Sequence, residues 1–164
     1  MTERQANNLL DPALHKDSCG FGLIANLDDL PSHWVVATAI EALARLTHRG
    51  AVAADGKTGD GCGLLIKFPE SFLRSVGEEL GFTLSKRFAA GTVFLSQDKA
   101  KGDAGRKAIS KALKELGLEV AGWREVPVDP SACGAQALAT MPRIEQVFVN
   151  GRDTMPRGAF NRKL

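Results

Sequence analysis

The sequence has few cysteines, and their spacing excludes most cysteine-based architectures. Cys19, Cys62 and Cys133 form no CxxC unit and no close pair. A disulfide framework or a zinc ribbon needs such spacings, so neither is expected. Because reduced thiols are typical of the cytosol, we expect an intracellular, cytoplasmic protein.

Long apolar runs and an excess of one charge are also missing. No run approaches the ~18–20 apolar residues that a membrane-spanning helix needs, and charges interrupt residues 1–18 where a secretory signal would be apolar. The 21 Lys and Arg residues nearly balance the 19 Asp and Glu residues, which leaves no field to attract nucleic acid or an acidic membrane. We therefore expect no nucleic acid and no membrane as partner.

The 164 residues, 44% of them apolar, are enough for one domain with a core. Apolar residues at helical spacing predict helices over residues 34–48, 70–79 and 101–116. Short apolar runs predict strands over residues 21–26, 64–68, 91–97 and 144–149, and a strand or a strand pair over residues 119–128. The helices are too irregularly spaced for a doubly wound sheet. The pattern therefore predicts an α/β domain of the layered, α+β kind, without choosing its topology.

Local signals add detail to this outline. Ser32 is the expected N-cap of the first helix and Gly50 its expected end. Asn150-Gly151 predicts a tight turn. The glycine-rich segment 51–63 is predicted to be a loop, and the tail 152–164 shows no pattern. On the helix over residues 101–116 the expected apolar face consists of Ala108, Ile109, Ala112, Leu113 and Leu116.

Three short features contain residues with reactive or charged side chains. Cys19 lies between Ser18 and Gly20, directly before a predicted strand, where a free cysteine most often packs as a small hydrophobe. His48 and Arg49 come at a predicted helix end, which the helix dipole favours for cations. Gly56-Lys57-Thr58 is similar to the end of a phosphate loop. However, position 51 is Ala where that motif needs Gly, and a helix precedes it instead of a strand, so ATP binding is rejected.

Taken together, the order and spacing of these pieces resemble class II glutamine amidotransferases. The run CGFGLIA at residues 19–25 resembles the mature N-terminus of that family. The run EALARLTHRGAVAADGKTGDGCGLLI at residues 41–66 resembles its glutamate synthase branch, and GWREVPVD at 122–129 and PRIEQVFV at 142–149 follow in the same order. The resemblance implies a partial αββα sandwich of the N-terminal nucleophile hydrolases.

The resemblance also implies a division of the chain and a set of site residues. Residues 1–18 are then a leader that is removed, and residues 19–164 the N-terminal portion of the amidotransferase domain. Cys19 is the implied nucleophile, and its freed α-amino group the implied base. His48, Arg49 and Gly50 are implied to support the active site or bind substrate. No metal is implied, the 55–63 loop is expected to support the geometry, and Cys62 and Cys133 are expected to be structural.

The implied reaction is glutaminase chemistry: L-glutamine is hydrolysed to glutamate and ammonia, and the complete synthase adds the ammonia to 2-oxoglutarate. The implied partners are L-glutamine, the remaining synthase domains, and either a small NADPH-oxidising subunit or ferredoxin. FMN and an iron–sulfur cluster are implied for the full-length enzyme and no cofactor for this segment. In the family the oxyanion-hole and glutamine-gripping residues lie further along the domain. We therefore expect the 164-residue chain alone to be poorly stable and almost inactive.

Two alternative hypotheses stay open at this point. One is a class II amidotransferase that delivers ammonia to another acceptor, because such enzymes share the Cys-Gly start and the His-Arg-Gly motif. The other is an inactive relic or interaction module in which Cys19 is only a core residue. A metal site built from Cys19, His48 and Cys62 is disfavoured because no ligand spacing supports it.

Overall fold

The computed structural model describes residues 20–46, 50–59 and 61–164. These residues fall into two compact units. The first unit spans Met1–Ala53 and Gly59–Leu65, and the second spans Ala54–Thr58 and Ile66–Leu164. The predicted leader, residues 1–18, lies outside the described residues.

Helix α1, His33–Ala44, is the helix of the first unit within its described part. The Ser32 hydroxyl accepts a hydrogen bond from the Trp34 N–H at 3.2 Å, so the predicted N-cap is confirmed. The helix was predicted to reach residue 48 but ends at Ala44. Residues 45 and 46 tighten into a 3-10 turn, a common way for the last turn of a helix to finish.

Two apolar runs that were predicted as strands, residues 21–26 and 64–68, form no strand. Phe21 is 93% exposed and Leu65 99% exposed. A strand exists only where a neighbour pairs with its N–H and C=O groups, and within the described residues nothing pairs with either run. These two predictions are wrong because an apolar run does not by itself supply a pairing partner.

The second unit is built on a three-stranded antiparallel sheet. Strands β1 (Phe88–Leu95), β2 (Glu119–Glu125) and β3 (Arg143–Asn150) lie in the order β1-β3-β2, so the last strand in the chain is central. The strands predicted over residues 91–97, 119–128 and 144–149 are thereby confirmed within a few residues, the second ending three residues early. Mixed helices around an antiparallel sheet agree with the layered α/β class and not with a doubly wound sheet.

Four α-helices accompany the sheet in the second unit. Helix α2 (Glu70–Glu79) has the predicted bounds, and α3 (Lys99–Glu115) begins two residues early because the Asp98 side chain caps it through the Lys101 N–H at 2.9 Å. Helices α4 (Ala135–Thr140) and α5 (Arg157–Asn161) were not predicted. A single 3-10 turn, Pro130–Ala132, precedes α4.

The central strand β3 contributes side chains to a core on each face of the sheet. Val147 and Val149 join the cluster on one face, and Phe148 joins the cluster on the other, as the two-residue period of a strand requires. The first cluster consists of Leu118, Val147, Val149 and Phe160. The second consists of Leu73, Val76, Leu84, Phe88 and Phe148. The core of this unit is therefore divided by the sheet into two layers.

Helix α3 packs through a face that shares only Ile109 and Leu113 with the predicted one. Ala108, Ala112 and Leu116 of the expected face are exposed, whereas Ile109 and Leu113 are half-buried. The buried residue is Gly102, where a Cβ would lie 2.9 Å from the Ser96 carbonyl oxygen. The lack of a side chain lets the helix backbone approach β1 closely, and a count of apolar side chains misses this.

Asn150-Gly151 does not form the predicted turn. The Asn150 side chain accepts a hydrogen bond from the Ser85 N–H at 2.9 Å and donates one to the Thr83 carbonyl at 3.0 Å. The Gly151 N–H donates to the Arg87 carbonyl at 2.7 Å. Asn150 and Gly151 thus end β3 and join it by hydrogen bonds to the segment before β1. An Asn-Gly pair makes a hairpin turn only between two adjacent strands, and no strand follows β3 in the described residues.

Candidate functional site

The predicted nucleophile, Cys19, lies outside the described residues, and so do His48 and Arg49. Gly50 is described and is exposed. The roles of these four residues stay predictions. The described segment that follows them directly is the loop over residues 51–59, which we name the Asp55 loop.

The Asp55 loop closes on itself. A backbone bridge joins Val52 to Gly59, and Gly56 turns the chain with a φ of 70°, in the left-handed region that favours glycine. The Asp55 carboxylate accepts hydrogen bonds from the Lys57 N–H at 3.0 Å and from the Thr58 N–H at 2.7 Å. Its second oxygen accepts the Thr58 hydroxyl at 2.5 Å. The loop is therefore organised around one carboxylate.

The same carboxylate contacts a distant part of the chain. It lies against Gly134, the N-cap of α4. Gly134 is buried, and a Cβ there would overlap Asp55 and Thr58, with the Thr58 nitrogen only 2.6 Å away. The turn formed by Asp55 and Thr58 thus packs closely against the start of α4.

These hydrogen bonds lower the pKa of Asp55 from 3.8 to about 2. The Thr58 hydroxyl is the largest cause, followed by the N–H groups of Thr58 and Lys57. Each of them stabilises the charged carboxylate. The pKa of Asp129 is also lowered, by the hydroxyl and N–H of Ser131, two residues away. Both carboxylates thus have their pKa lowered mainly by donors within three residues of themselves.

Replacing Thr58 by valine, which has nearly the same shape but no hydroxyl, is expected to raise the pKa of Asp55 from about 2 toward 3.8. The matched control is Thr58→Ser, which keeps the hydroxyl and should leave the value low. The measurement is an NMR titration of the Asp55 carboxyl carbon. An equal shift in both variants would show that the hydroxyl is not the main cause.

The same shift sets the acid dependence of stability. Because the pKa of Asp55 is lower in the folded state, its contribution is complete above the ordinary value of 3.8 and disappears as the pH falls toward about 2. The valine variant should therefore lose less stability than the wild type across this pH window. Urea unfolding at pH values on both sides of the window measures the difference.

A second charged cluster lies on the sheet. Glu145 is 5% exposed, and its carboxylate lies 3.1 Å from Nε of Arg106 on α3 and 2.9 Å from Nε of Arg143. Both guanidinium groups pair with this carboxylate, because a buried charge needs a partner of opposite charge. Arg143 also lies 3.2 Å from Asp103 of α3. The network links α3 to β3, and none of the predicted site residues belongs to it.

Within the described part of the chain, no group of three or more His, Cys, Asp or Glu residues is arranged to hold a metal ion. Cys62 is exposed and Cys133 is half-buried, and both are free thiols. Two open depressions of about 360 and about 270 Å³ contain none of the predicted site residues. None of the described helices combines the length and the apolarity that a membrane crossing demands.

The contact partners of the Asp55 loop had no recognisable signal in the sequence. Asp55 itself was expected to support the geometry of the motif before it, and the loop prediction is confirmed by its lack of regular structure. Gly134 was assigned no role, because α4 is a six-residue helix without a side-chain cap of its own. Such a helix has too short a periodic pattern to be found from sequence.

Comparison with known proteins connects these observations to a family. Residues 19–164 match the model of the family described as glutamine amidotransferases class-II. The chain is 40% identical over 147 residues to ferredoxin-dependent glutamate synthase 1, chloroplastic/mitochondrial, of Arabidopsis thaliana, which covers 88% of this chain and 9% of that protein. It is 34% identical over 161 residues to the glutamate synthase [NADPH] large chain of Bacillus subtilis (strain 168), covering 98% of this chain and 11% of the relative.

A third relative, the glutamate synthase [NADPH] large chain of Azospirillum brasilense, is 38% identical over 144 residues, covering 87% of this chain and 10% of that protein. The chain thus spans about a tenth of the length of these curated relatives. The family match extends over nearly all of the chain, including both units and the Asp55 loop. This chain therefore belongs to the class II glutamine amidotransferases.

Proposed function

We propose that this chain supplies the glutaminase part of a glutamate synthase and hydrolyses L-glutamine to glutamate and ammonia with Cys19 as nucleophile. The observation that carries the proposal is the family match, which begins at Cys19. The relatives reported above are all named glutamate synthases, which favours this acceptor branch over other class II amidotransferases.

The proposed division of the chain follows from the same match. Residues 1–18 precede it and are proposed to be a leader that is removed, and residues 19–164 are proposed to be the N-terminal portion of the amidotransferase domain. The αββα sandwich of the N-terminal nucleophile hydrolases is the proposed fold of the whole domain. The antiparallel sheet with helices in the second unit is consistent with one part of such a sandwich.

The proposed chemistry needs a cysteine at the mature N-terminus. An ordinary α-amino group titrates near ~7.7–8.0 and an ordinary thiol near ~8.5. Near neutral pH the freed amine of Cys19 is partly neutral, so it is able to take the proton from its own sulfur, directly or through one water. While residue 18 is attached, the same nitrogen is an amide and has no basic lone pair. Removal of the leader is therefore the activating step.

The thiolate then attacks the side-chain amide carbon of glutamine. The C–N bond breaks, the protonated amine returns its proton to the leaving nitrogen, and ammonia departs from a thioester. Water attacks the thioester carbon, the C–S bond breaks, and glutamate leaves with the thiol restored. The net reaction consumes one water per glutamine and needs no oxidant or reductant.

Arg49 is proposed to lie beside the nucleophile, with His48 and Gly50 completing its motif. A guanidinium near the sulfur favours the thiolate over the thiol and orders the groups around it. These roles are carried by the resemblance of the His48-Arg49-Gly50 motif to that of the family. The substrate proposed for the site is L-glutamine.

The proposed partners are the remaining domains of a synthase, which would receive the ammonia and add it to 2-oxoglutarate. FMN and an iron–sulfur cluster would belong to those domains. The names of the relatives include both ferredoxin-dependent and NADPH enzymes, so either electron donor is compatible with this family branch. The cytoplasmic location stays a prediction from the cysteine content.

Processing of the leader is the first testable consequence. Intact mass and N-terminal sequencing of the purified protein should show a chain that begins at Cys19. A control variant, Cys19→Ala, should retain the leader if the thiol takes part in its own processing and should lose it if a separate protease acts. A glutaminase that works with Met1 still attached would contradict the proposed base.

A further inference from the structure

The sheet of the second unit contains one complete crossover between parallel strands. Strands β1 and β2 are both antiparallel to β3, so they are parallel to each other, and α3 connects them in the chain. Strand β3 lies between them. The chain continues from β3 into α5, and Phe160 of α5 belongs to the cluster against which Leu113 of α3 packs. Both helices therefore cover the same face of the sheet.

The handedness of such crossovers determines where a strand that follows α5 would lie. A strand–helix–strand connection between parallel strands is right-handed in nearly all proteins. The crossover from β1 to β2 passes across β3. Because β3 runs in the opposite direction and its helix covers the same face, a right-handed crossover from β3 passes the other way, across β1. Its last strand then lies at the outer edge of β1, antiparallel to β1, which is the split βαβ arrangement.

The backbone groups at the outer edge of β1 are identified by a hydrogen bond at its start. The Gly151 N–H donates to the Arg87 carbonyl at 2.7 Å, so the backbone of Arg87 points toward β3. Along a strand in an antiparallel sheet this direction alternates from one residue to the next. The residues whose N–H and C=O groups point away from β3, which we name the outer-edge residues, are Phe88, Ala90, Thr92 and Phe94.

A hydrogen bond at the other end of the strand supports this assignment. Ile144 lies opposite Phe94, and its carbonyl accepts the Val126 N–H at 3.0 Å. The backbone of Ile144 therefore points toward β2, and that of Phe94 points toward the outer edge. In the part of the chain that the structure describes, no strand pairs with this edge. Thr92 and Phe94 are also exposed to solvent.

The two outer edges of the sheet differ in their protection against pairing. Strand β2 has a bulge between Val120 and Gly122, and both of its ends are glutamates. Strand β1 contains no charged residue and no proline, and its eight residues pair with β3 in an unbroken register. Charges, prolines and bulges are the features by which proteins protect an edge strand from further pairing. The edge of β1 is therefore the one that is open to another strand.

We propose that the outer edge of β1 is the docking site of a fourth strand, antiparallel to β1, which the polypeptide supplies after α5. This chain spans about a tenth of the length of its relatives, so polypeptides of this family contain enough chain to provide it. Residues of the fourth strand on the side of α3 and α5 would be apolar, because Ala89 and Val93 of β1 are half-buried on that side. Docking of this strand does not depend on glutaminase activity, so either proposal is able to fail without the other.

The test compares amide hydrogen exchange in the 164-residue chain and in the longer polypeptide that carries it. In the 164-residue chain the amides of Gly91 and Val93, which point toward β3, should be protected, whereas those of Ala90 and Thr92 should exchange freely. In the longer polypeptide both pairs should be protected. Exchange at Ala90 and Thr92 should be slower there by about 100-fold or more, because these amides then exchange only when the sheet opens.

Thr92→Pro tests whether the protecting element is a strand. Proline removes one outward N–H and leaves the hydrogen bonds to β3 in place, as edge strands tolerate. In the longer polypeptide it should speed exchange at Ala90 and Phe94 by at least about 10-fold. In the 164-residue chain it should shift the midpoint of thermal unfolding by no more than about 3 °C. Thr92→Val, which keeps the N–H, is the matched control and should change neither quantity, whereas Gly91→Pro should destabilise both proteins.

Three results would overturn the proposal. One is free exchange at Ala90 and Thr92 in the longer polypeptide. Another is protection there that Thr92→Pro does not reduce, because an element other than a strand then covers the edge. The third is protection already present in the 164-residue chain together with sedimentation that depends on concentration, because a second copy of the chain then occupies the edge. If Gly91 is unprotected in the 164-residue chain, that chain is not folded, and the comparison of Thr92→Pro with Thr92→Val in the longer polypeptide decides.

Discussion

If Cys19 is the nucleophile that we propose, its replacement by serine is expected to lower glutamine hydrolysis by more than about 10³-fold. A serine hydroxyl is far less acidic than a thiol, so the α-amine is too weak a base to generate the nucleophile, and losses of a nucleophile in other hydrolases reach this size. The measurement is ammonia release in the protein that carries this chain. Substrate affinity should change much less than kcat, because the change removes a reacting atom and not a binding group.

The matched control is Cys62→Ser, the same substitution at an exposed thiol that we regard as structural. It should leave ammonia release at the wild-type level. A glutamine-analogue diazo ketone should label Cys19 and leave Cys62 and Cys133 unmodified. Equal loss of activity in both serine variants, or labelling at Cys62 instead of Cys19, would show that the nucleophile has been assigned to the wrong cysteine.

The rate should also depend on pH in the way that an N-terminal amine requires. Below about pH 7.7–8.0 an ordinary α-amine is mostly protonated and is a poor acceptor. The value of kcat/KM should therefore rise as the pH increases through that range. A profile without this rise would argue for a base other than the amine of Cys19.

A second large effect is expected on the free energy of unfolding, from a change in the core of the second unit. Replacing Phe148 by alanine should lower the free energy of unfolding by about 3–5 kcal/mol, because a ring is removed from a packed interior and leaves a cavity. Phe148 is 0% exposed, and its ring lies 5.0 Å from the ring of Phe82, centroid to centroid. It belongs to the cluster that includes Leu73 and Val76 of α2. Loss of this ring therefore loosens α2 as well as the sheet.

Phe94→Ala is the matched control for this change. Phe94 pairs with Ile144, four residues before Phe148 on β3, so it lies on the same face of the sheet. It is 67% exposed, and its loss should change stability by no more than about 0.5 kcal/mol. The contrast between the two phenylalanines tests the burial that the structure assigns to each.

Urea unfolding monitored by tryptophan fluorescence measures both variants. Trp34 lies in the first unit and Trp123 on β2 in the second, so a Trp34→Phe background confines the signal to the second unit. Similar unfolding midpoints for Phe148→Ala and Phe94→Ala would contradict the assigned core. The absence of any cooperative transition in the background protein would support the sequence-based expectation that the 164-residue chain is poorly stable alone.

The sequence predicted correctly those elements whose signal lies within their own residues, and it failed where an element depends on a partner elsewhere in the chain. Helix α2 was predicted within its bounds because its apolar residues repeat at helical spacing and Pro69 precedes them. Strands β1 and β3 were found because short apolar runs lie between clear breakers. The runs over residues 21–26 and 64–68 carry the same signal and form no strand, since a strand also depends on a partner that the run itself does not contain.

The candidate site likewise combines residues that were recognised from the sequence with a contact that only the structure shows. Cys19 and the His48-Arg49-Gly50 motif were recognised because their order and spacing resemble a family, and family membership is confirmed by the match over residues 19–164. Their individual roles stay predictions. The contact of Asp55 with Gly134 was not foreseen, because it joins residues about eighty positions apart and Gly134 belongs to no motif.

The amino-acid sequence by itself determined the family, the helices with strong periodicity and the residues proposed for the chemistry. All of these depend on side chains that lie close together in the chain or on motifs in a fixed order. Only the tertiary structure decided the strand order β1-β3-β2, the packing of α3 through Gly102 and the contact of Asp55 with Gly134. Each of these depends on the distance at which two remote backbones meet, and that distance is set by packing around residues such as Gly102 and Gly134, whose missing side chains leave no hydrophobic pattern.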